Sequence, residues 1–325
     1  MANNSVKFSI NHDAIKGRCL IATETIHTGE IIFEELPLVC SQFLWNAECK
    51  YDACQFCLTP LETAEENVSR LTKEQIKLPY FEQCCQTNKS KHVDCLGCGQ
   101  KERYCSIECR QHAFEIYHQT LCYSRSEELA NNLNKLCDLW KSIHYPPETA
   151  SIMLLVKILA RIKQDSTFIQ KLQQFSKNCE RLVANNPDEC EQINQLVETL
   201  FEKMEKISGC FLNTEGSGLY ELQSCINHSC QPNSEVCFLH NNFILSLKAL
   251  ETINPGEEIT ICYLDECWRD RSRHSRNKYI RENYLFTCQC PKCQQQMNDP
   301  DVTSDEDDDS DLQSNPDDDE AMNCD

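Results

Sequence analysis

Cysteine and histidine crowd this chain at spacings that suit a metal. Between residues 54 and 122 stand Cys54-x2-Cys57, Cys95-x2-Cys98, Cys105-x3-Cys109 and His118-x3-Cys122. Pairs separated by two or three residues let one turn supply two ligands, and eight ligands in four pairs fit two tetrahedral zinc sites. Further on, Cys288-Gln289-Cys290-Pro291-Lys292-Cys293 offers three thiols in six residues. Three thiolates leave a tetrahedral shell one short, and Cys230, in Asn227-His228-Ser229-Cys230, is the expected fourth. With every position filled by protein, three such zinc ions would be structural, with no coordination site open to water. Cys49, Cys84, Cys85 and His92 could each replace a finger ligand, although a spare cysteine more often packs as a small buried hydrophobe. The Asn-His-Ser-Cys segment adds a second kind of chemistry. Asparagine and histidine are poor strand formers and costly to bury without partners, so a polar knot just before a hairpin is read either as a capped turn with a satisfied histidine or, given the thiols that follow, as a binding site.

These groups need elements to hold them. Residues 236–240 and 243–250 read as strands meeting at Asn241-Asn242, a dipeptide that tolerates the left-handed turn conformation. Asn254-Pro255-Gly256 forms the next turn, and Glu258–Tyr263 the next strand. Residues 6–40 read as strand, turn, strand, with Thr28-Gly29-Glu30 as the turn. Helical patterning covers 61–77 and most of 126–210. Within the latter, a segment ends near Ile143 before a Pro146-Pro147 break. Glu148–Lys163 follows, with Ile152, Leu155, Val156, Leu159 and Ile162 as its core stripe, and then helices over 165–184 and 188–207. Arg269, Arg271, Arg273, Arg276, Lys278 and Arg281 outline a basic helix, read as a solvated face. Too few aromatics interleave with it for a nucleic-acid groove.

Composition narrows the class. The chain has 325 residues, 40% of them hydrophobic, enough for a core divided among subdomains. No run of 18 apolar residues and no secretory leader is visible, so neither membrane insertion nor secretion is expected. In that setting 25 cysteines point to metal and a reducing compartment: cytoplasm, nucleus or both. Of the 20 excess negative charges, 13 lie in residues 299–325, which carry no Lys or Arg. Such a block is expected to be disordered, first as a solubilising tail and otherwise as a lure for a basic partner.

The succession Asn-His-Ser-Cys, Gly256-Glu-Glu-Ile, Tyr263, then C-x-C-x2-C resembles the core and post-SET segment of SET-domain protein-lysine methyltransferases. Cys105, Cys109 and His118, with the paired ligands around them, resemble a MYND finger. Together they resemble the SET-and-MYND family, closest to its fifth member through Ser272-Arg-His-Ser-Arg276, Arg281-Glu-Asn-Tyr-Leu-Phe286 and the acidic tail. The fold implied is α+β. A β-rich SET domain with a pseudoknot is split by a MYND-like finger and a helical insert, and a post-SET zinc cluster follows. The boundaries expected are 1–50 for the first SET segment and 51–122 for the finger. The insert takes 123–210, the SET core 211–265, the post-SET segment 266–297 and the tail 298–325.

The resemblance also implies that the finger pairs interleave. Cys54, Cys57, Cys105 and Cys109 would hold one zinc, and Cys95, Cys98, His118 and Cys122 the other. It implies S-adenosylmethionine as methyl donor, bound through Asn227 and His228 with backbone help from Lys16, Gly17 and Arg18. Phe286 would stack on the adenine, Tyr284 would line the lysine channel, and Tyr263 would orient amine and methyl group as the catalytic tyrosine. The reaction implied is an in-line displacement, in which alignment of the two reactants can supply roughly 7–11 kcal/mol. Its substrate would be a lysine of a histone, ribosomal or other basic protein. The finger would recruit protein partners, and the chain is expected to be a monomer that binds neither nucleic acid nor membrane. Two departures favour an alternative, a zinc-built adaptor with weak or no catalysis. Cys19 replaces a glycine of the Lys-Gly-x-Gly pattern, and the insert is short, leaving only Ile207–Asn213 for a strand expected before Gly216.

Overall fold

The computed structural model describes residues 6–81, 85, 87–143, 151–175, the backbone of 205–207, and 216–300. Cys84, the Pro146-Pro147 break, residues 208–213 and nearly all of the acidic tail lie outside them. The strands, in chain order, are β1 (Phe8–Asp13), β2 (Gly17–Ala22), β3 (Ile31–Glu35), β4 (Val39–Gln42), β5 (Val93–Cys95) and β6 (Gly99–Tyr104). They continue as β7 (Glu205–Ile207), β8 (Gly216–Leu219), β9 (Asn227–His228), β10 (Ser234–Cys237), β11 (Leu245–Ala249) and β12 (Glu258–Ile261). The chain divides into two compact units, one of residues 1–33, 225–237 and 247–325, the other of residues 34–224 and 238–246.

The first unit is organised by a four-stranded sheet of order β1-β2-β12-β9. β1 and β2 pair antiparallel from Phe8↔Ala22 to Asp13↔Gly17. Their connection is made by Asp13, whose Oδ1 accepts from the backbone N–H groups of Ile15 and Lys16 at 2.7 and 2.8 Å. Gly17 closes the turn at φ +80°, a conformation open to glycine at no steric cost. Cys19 lies in regular strand opposite Asn11 and is buried, with no positive φ. The conformational demand therefore falls on Gly17, not on the position where cysteine replaces glycine.

β12 joins β2 antiparallel and takes β9 on its other side in parallel, with Thr260↔Asn227 and Ile261↔His228 in register. The parallel pairing brings the polar knot against the strand that leads to Tyr263. Asn233 secures that strand as a substitute ladder. Its Nδ2 donates to Glu258 O, and its Oδ1 accepts from Thr260 N, both at 2.8 Å. Beneath the sheet, Leu20, Ile26, Ile226, Leu247, Ile253 and Ile259 are essentially inaccessible to solvent. Each buried side chain of that size contributes about 1.5–3 kcal/mol relative to exposure. A further sheet has the order β10-β11-β3. Between β10 and β11, Asn241 adopts φ +50° as its dipeptide foretells, and the strands are shorter than their pattern suggests.

The second unit carries the finger and the described part of the insert. β8 is the centre of a three-stranded sheet, pairing antiparallel with β4 and with β7. Gly216 permits that pairing, because a Cβ there would lie 2.4 Å from Ser41 O. Residues 205–207, expected to end a helix, instead form the strand beside Gly216–Gly218. Helix Ala64–Thr72 occupies the middle of the helical pattern over 61–77. It starts at a capping box in which Thr63 and Glu66 satisfy each other's backbone N–H groups.

Helix Ile152–Gln164 begins at Ser151, whose Oγ accepts from Met153 N. The expected apolar stripe holds at Ile152, which is buried, and at Ile162, which packs on the buried cluster, but not at Leu159. Leu154 and Ile158 are fully buried with Phe168, whereas Leu159 is 58% exposed. Lys157 shares the buried face, and its ammonium donates to Cys40 O and Gln55 O at 3.2 and 3.0 Å. These acceptors permit a charge where the pattern expects only hydrocarbon.

Candidate zinc centres and cofactor-binding site

Three groups of four ligands form, and each gathers its donor atoms within 4.8 Å of one another. Cys54 and Cys57 meet Cys105 and Cys109; Cys95 and Cys98 meet His118 and Cys122; Cys230 meets Cys288, Cys290 and Cys293. A tetrahedron with Zn–S bonds of about 2.3 Å has edges of about 3.8 Å. The separations fit: 3.5 Å for Cys57–Cys105, 3.8 Å for Cys95–Cys122, 3.6 Å for Cys230–Cys293 and 3.8 Å for Cys230–Cys288. The donor sets therefore suit zinc, which would cross-link each group. Cys49, Cys85 and His92 lie outside all three groups, and Cys84 is outside the described residues.

In the finger, the interleaving follows from β5 and β6, which form a hairpin carrying Cys95 and Cys98 and leading to Cys105. Gly97 is needed there, since a Cβ would fall 2.7 Å from Cys122 Sγ and 2.3 Å from Ser124 Oγ. Helix Ile107–Ala113, capped by Ser106 Oγ on Cys109 N, delivers Cys109. A π-helical turn over Phe114–His118 then carries His118. Burial, followed by the charge of Lys157, pushes His118 down to about 4. It is therefore neutral at pH 7, as an imidazole ligand must be.

The loop between Cys54 and Cys57 is fastened through its carbonyls. Gln55 O accepts from Lys157 Nζ at 3.0 Å and from Tyr117 Oη at 2.8 Å. Phe56 O accepts from Cys40 Sγ at 3.2 Å, and Cys57 O from Phe243 N at 2.9 Å. Each buried acceptor is thereby satisfied by a different segment of the second unit.

The third group is built on Cys230 at one end and helix Arg273–Tyr284 at the other. That helix does not present a wholly solvated basic face, because Arg276 is fully buried. Its guanidinium donates to Cys293 Sγ at 3.6 Å, to Gln296 Oε1 at 2.8 Å and to Arg271 O. Asn277 donates to Cys293 Sγ at 3.7 Å and accepts from Cys288 N at 2.7 Å. Four thiolates around Zn²⁺ carry two net negative charges, so a buried guanidinium here is the counter-charge.

Beside this cluster lie the residues expected to hold a cofactor. His228 Nδ1 accepts from Tyr263 N at 2.9 Å, which leaves its proton on Nε2, 3.3 Å from Cys230 Sγ. Burial pushes this imidazole down to about 4, so it too is neutral at pH 7. With both ring nitrogens engaged within the protein, the ring has none left for a cofactor; hydrogen bonds from this position would have to come from its backbone. Its ring lies 5.3 Å from Tyr263 and 6.2 Å from Phe286, centroid to centroid. Tyr284 lies 4.9 Å from Tyr263, and its hydroxyl is 3.4 Å from Tyr263 O. The Tyr263 hydroxyl donates to Ile226 O at 2.6 Å. Asn227 Nδ2 donates to Glu258 at 2.8 Å, and Lys16 Nζ meets the other oxygen of the same carboxylate at 2.6 Å. Thus Lys16 and Asn227 meet through Glu258, while His228, Tyr263, Tyr284 and Phe286 form a second set of contacts, and the backbone of β9 joins the two within one unit. Gly17 and Arg18 begin the adjacent strand β2.

The chain is 42% identical to chicken (Gallus gallus) "Protein-lysine N-trimethyltransferase SMYD5" over 371 aligned positions, covering 91% of this chain and 87% of the relative. The human SMYD5 is 40% identical, with 90% and 87% covered. The chain belongs to the SMYD5 family of protein-lysine methyltransferases. A SET domain is matched at residues 142–264. Human "Histone-lysine N-methyltransferase SMYD3" is a more distant relative, 29% identical over 68% of this chain and 54% of its own length. The SET domain of LSMT bound to lysine and AdoHcy aligns with 14% identity and a TM-score of 0.32, covering 88% of this chain and 54% of that one. The 371 aligned positions exceed the 325 residues of this chain, so its SMYD5 relative carries residues that this chain lacks.

Glu258, Asn277 and Asn233 were not singled out by sequence reasoning, and Arg276 was read only as part of a solvated basic face. Only Asn233 had a signal, as the asparagine that closes Asn-His-Ser-Cys-x-Pro-Asn. Glu258 acts through partners 31 and 242 residues away, and Arg276 and Asn277 through thiols and backbone groups that only the folded cluster brings to them.

Proposed function

We propose that this SMYD5-family chain transfers a methyl group from S-adenosylmethionine to a lysine side chain of a basic protein, a histone or a ribosomal protein. The observation that carries this reading is the Tyr263 hydroxyl on Ile226 O, one residue from Asn227, with the Tyr263 ring beside Tyr284 and His228 and Phe286 on the His228 ring. When bound, the cofactor supplies an electrophilic methyl on a sulfonium. The chain's own residues orient and select. Tyr263 and the Ile226 carbonyl would align the lysine amine, since an acceptor and a hydroxyl fix the direction of its lone pair. The rings of Tyr263 and Tyr284 would favour a methylated ammonium through their π-faces. Phe286 would stack on adenine, a contact worth about 1–3 kcal/mol by comparison with base–aromatic stacking. Backbone groups of Lys16, Gly17 and Arg18 would complete the cradle, with Asn227 contributing its amide.

The donor sets suit three structural zinc ions, two in the finger and one at Cys230, Cys288, Cys290 and Cys293. The finger would recruit protein partners, and the chain would work as a monomer in cytoplasm, nucleus or both. No described helix is long and apolar enough to cross a membrane. The adaptor alternative draws no support from Cys19, which sits in unstrained strand.

Calorimetry with S-adenosylmethionine, followed by radiolabel transfer to purified histones and ribosomal proteins, tests the reading. Micromolar binding and label on lysine are expected. A folded protein carrying three zinc ions that binds no cofactor would overturn it.

A further inference from the structure

Asn227 and Lys16 stand on opposite sides of one carboxylate. Glu258, on β12, accepts from Asn227 Nδ2 through Oε1 at 2.8 Å and from Lys16 Nζ through Oε2 at 2.6 Å. An amide has a donating and an accepting end, and a carboxylate only accepts. Glu258 can therefore face only the nitrogen of Asn227, and the amide oxygen must point the other way. That oxygen has no partner among the described residues. Lys16 lies across the carboxylate and is raised by its hydrogen bond to Glu258, so it stays charged and matches the acid. The carboxylate is itself held in place. Asn233 Nδ2 grips Glu258 O at 2.8 Å, and Glu258 is in register with Ile21 of β2.

We infer that Glu258 is a positioning residue for the methyl donor, turning the amide of Asn227 so that its oxygen receives the α-ammonium of the donor's amino-acid moiety. The inference rests on the proposed function. Of the donor's functional groups, the ammonium is the one that is cationic and donates hydrogen bonds, so it is the natural guest of an outward amide oxygen. With both its oxygens occupied, Glu258 would not meet the donor's carboxylate directly. Replacing the acid by glutamine removes the constraint. A glutamine can offer its own N–H to Asn227 and so stabilise the reversed amide, which would present a donor to an ammonium.

The test uses the full-length, zinc-loaded protein and two probes, S-adenosylhomocysteine and its deamino analogue, which keeps the carboxylate but lacks the ammonium. Affinities are compared by competition calorimetry for the native protein, Glu258→Gln and Glu258→Ala, each checked for three bound zinc ions. The native protein should prefer S-adenosylhomocysteine by about 10-fold or more, the size of a charge-assisted hydrogen bond. In both variants the preference should fall toward unity through loss of S-adenosylhomocysteine affinity alone. An equal loss for both probes would make Glu258 merely structural, and an unchanged preference would remove its role; either overturns the inference while leaving the methyltransferase reading intact. Failure of the native protein to bind either probe would overturn both.

Discussion

The finger and the post-SET cluster use the same ligand chemistry to different ends. In the finger all eight ligands fall between Cys54 and Cys122, and the groups that brace them, such as Lys157 on Gln55 O, belong to that unit's framework. The third cluster draws Cys230 from the Asn-His-Ser-Cys segment and its other ligands from beyond Tyr284. His228 then ties Cys230 Sγ to the backbone N–H of Tyr263. A zinc ion there would close a loop of the chain that contains Tyr263, the tyrosine proposed to align the lysine amine. The finger zincs would stabilise a platform; the third would stabilise the site itself.

Removing ligands should separate the two most clearly. Cys293→Ser should lower the zinc content from three ions to two and abolish both cofactor binding and methyl transfer, because the Phe286 and Tyr284 segment loses its anchor. Cys105→Ser should also cost zinc, yet leave cofactor affinity within a few fold. Elemental analysis beside calorimetry reads both quantities. Equal loss of cofactor binding in the two variants would end the distinction drawn here.

Within the first unit, Tyr263→Phe should distinguish alignment from binding. It removes the hydroxyl on Ile226 O and little else. Turnover should fall about 100- to 1000-fold, comparable to loss of a preorganised donor at a reacting centre. Cofactor affinity should change by no more than about 3-fold, since the ring contacts with His228 and Tyr284 persist. A fall in affinity matching the fall in turnover would assign Tyr263 to the cofactor pocket instead.

The guanidinium at the third cluster gives a smaller effect. Arg276→Met deletes the donor to Cys293 Sγ and the buried counter-charge of the thiolates. Zinc affinity at this site should drop about 10- to 100-fold, the usual cost of losing a group that braces metal ligands. Chelator competition should show one weakened ion, with the two finger ions unchanged. Weakening of a finger ion would contradict the independence of the two regions.

How much of this was readable beforehand depended on the range of the interaction. The finger pairs were legible because each pair sits in one local turn, and Cys230 because three thiols leave a shell incomplete. The turns at Gly29 and Gly256 were legible too; both adopt positive φ, which local composition foretells. Glu258 was not, because its partners stand at 16 and 227, and a glutamate in a strand pattern carries no sign of them. The burial of Arg276, read as part of a solvated face, and of Lys157, which no pattern marked, was illegible for a related reason. Charge is ordinarily read as solvated, and only the fold supplies the carbonyls and thiolates that make burial tolerable. The stripe of helix Ile152–Gln164 was legible at Ile152 and Ile162 but not at Leu159, because a run rich in Ile, Leu and Val satisfies several helical phases. Leu154 and Ile158 were selected by packing on Phe168, beyond the reach of periodicity.

The smallest expected effect concerns a glycine. Gly97 lies between Cys95 and Cys98, and an added methyl would press on Cys122 Sγ and Ser124 Oγ. Gly97 has no positive φ, so the penalty of Gly97→Ala is steric rather than conformational. Overpacking of this kind costs about 1–3 kcal/mol, and relief by rotation of the short Ser124 side chain would place the result near the lower end. One finger ion should therefore be released at up to about 10-fold lower chelator concentration, while the third cluster and cofactor affinity stay as they are. Gly97→Ala combined with Ser124→Ala should recover part of the loss, because the nearest obstructing atom is the Ser124 hydroxyl. No recovery would mean that the methyl acts through Cys122 Sγ itself, and that the second finger site tolerates even less displacement than its neighbours.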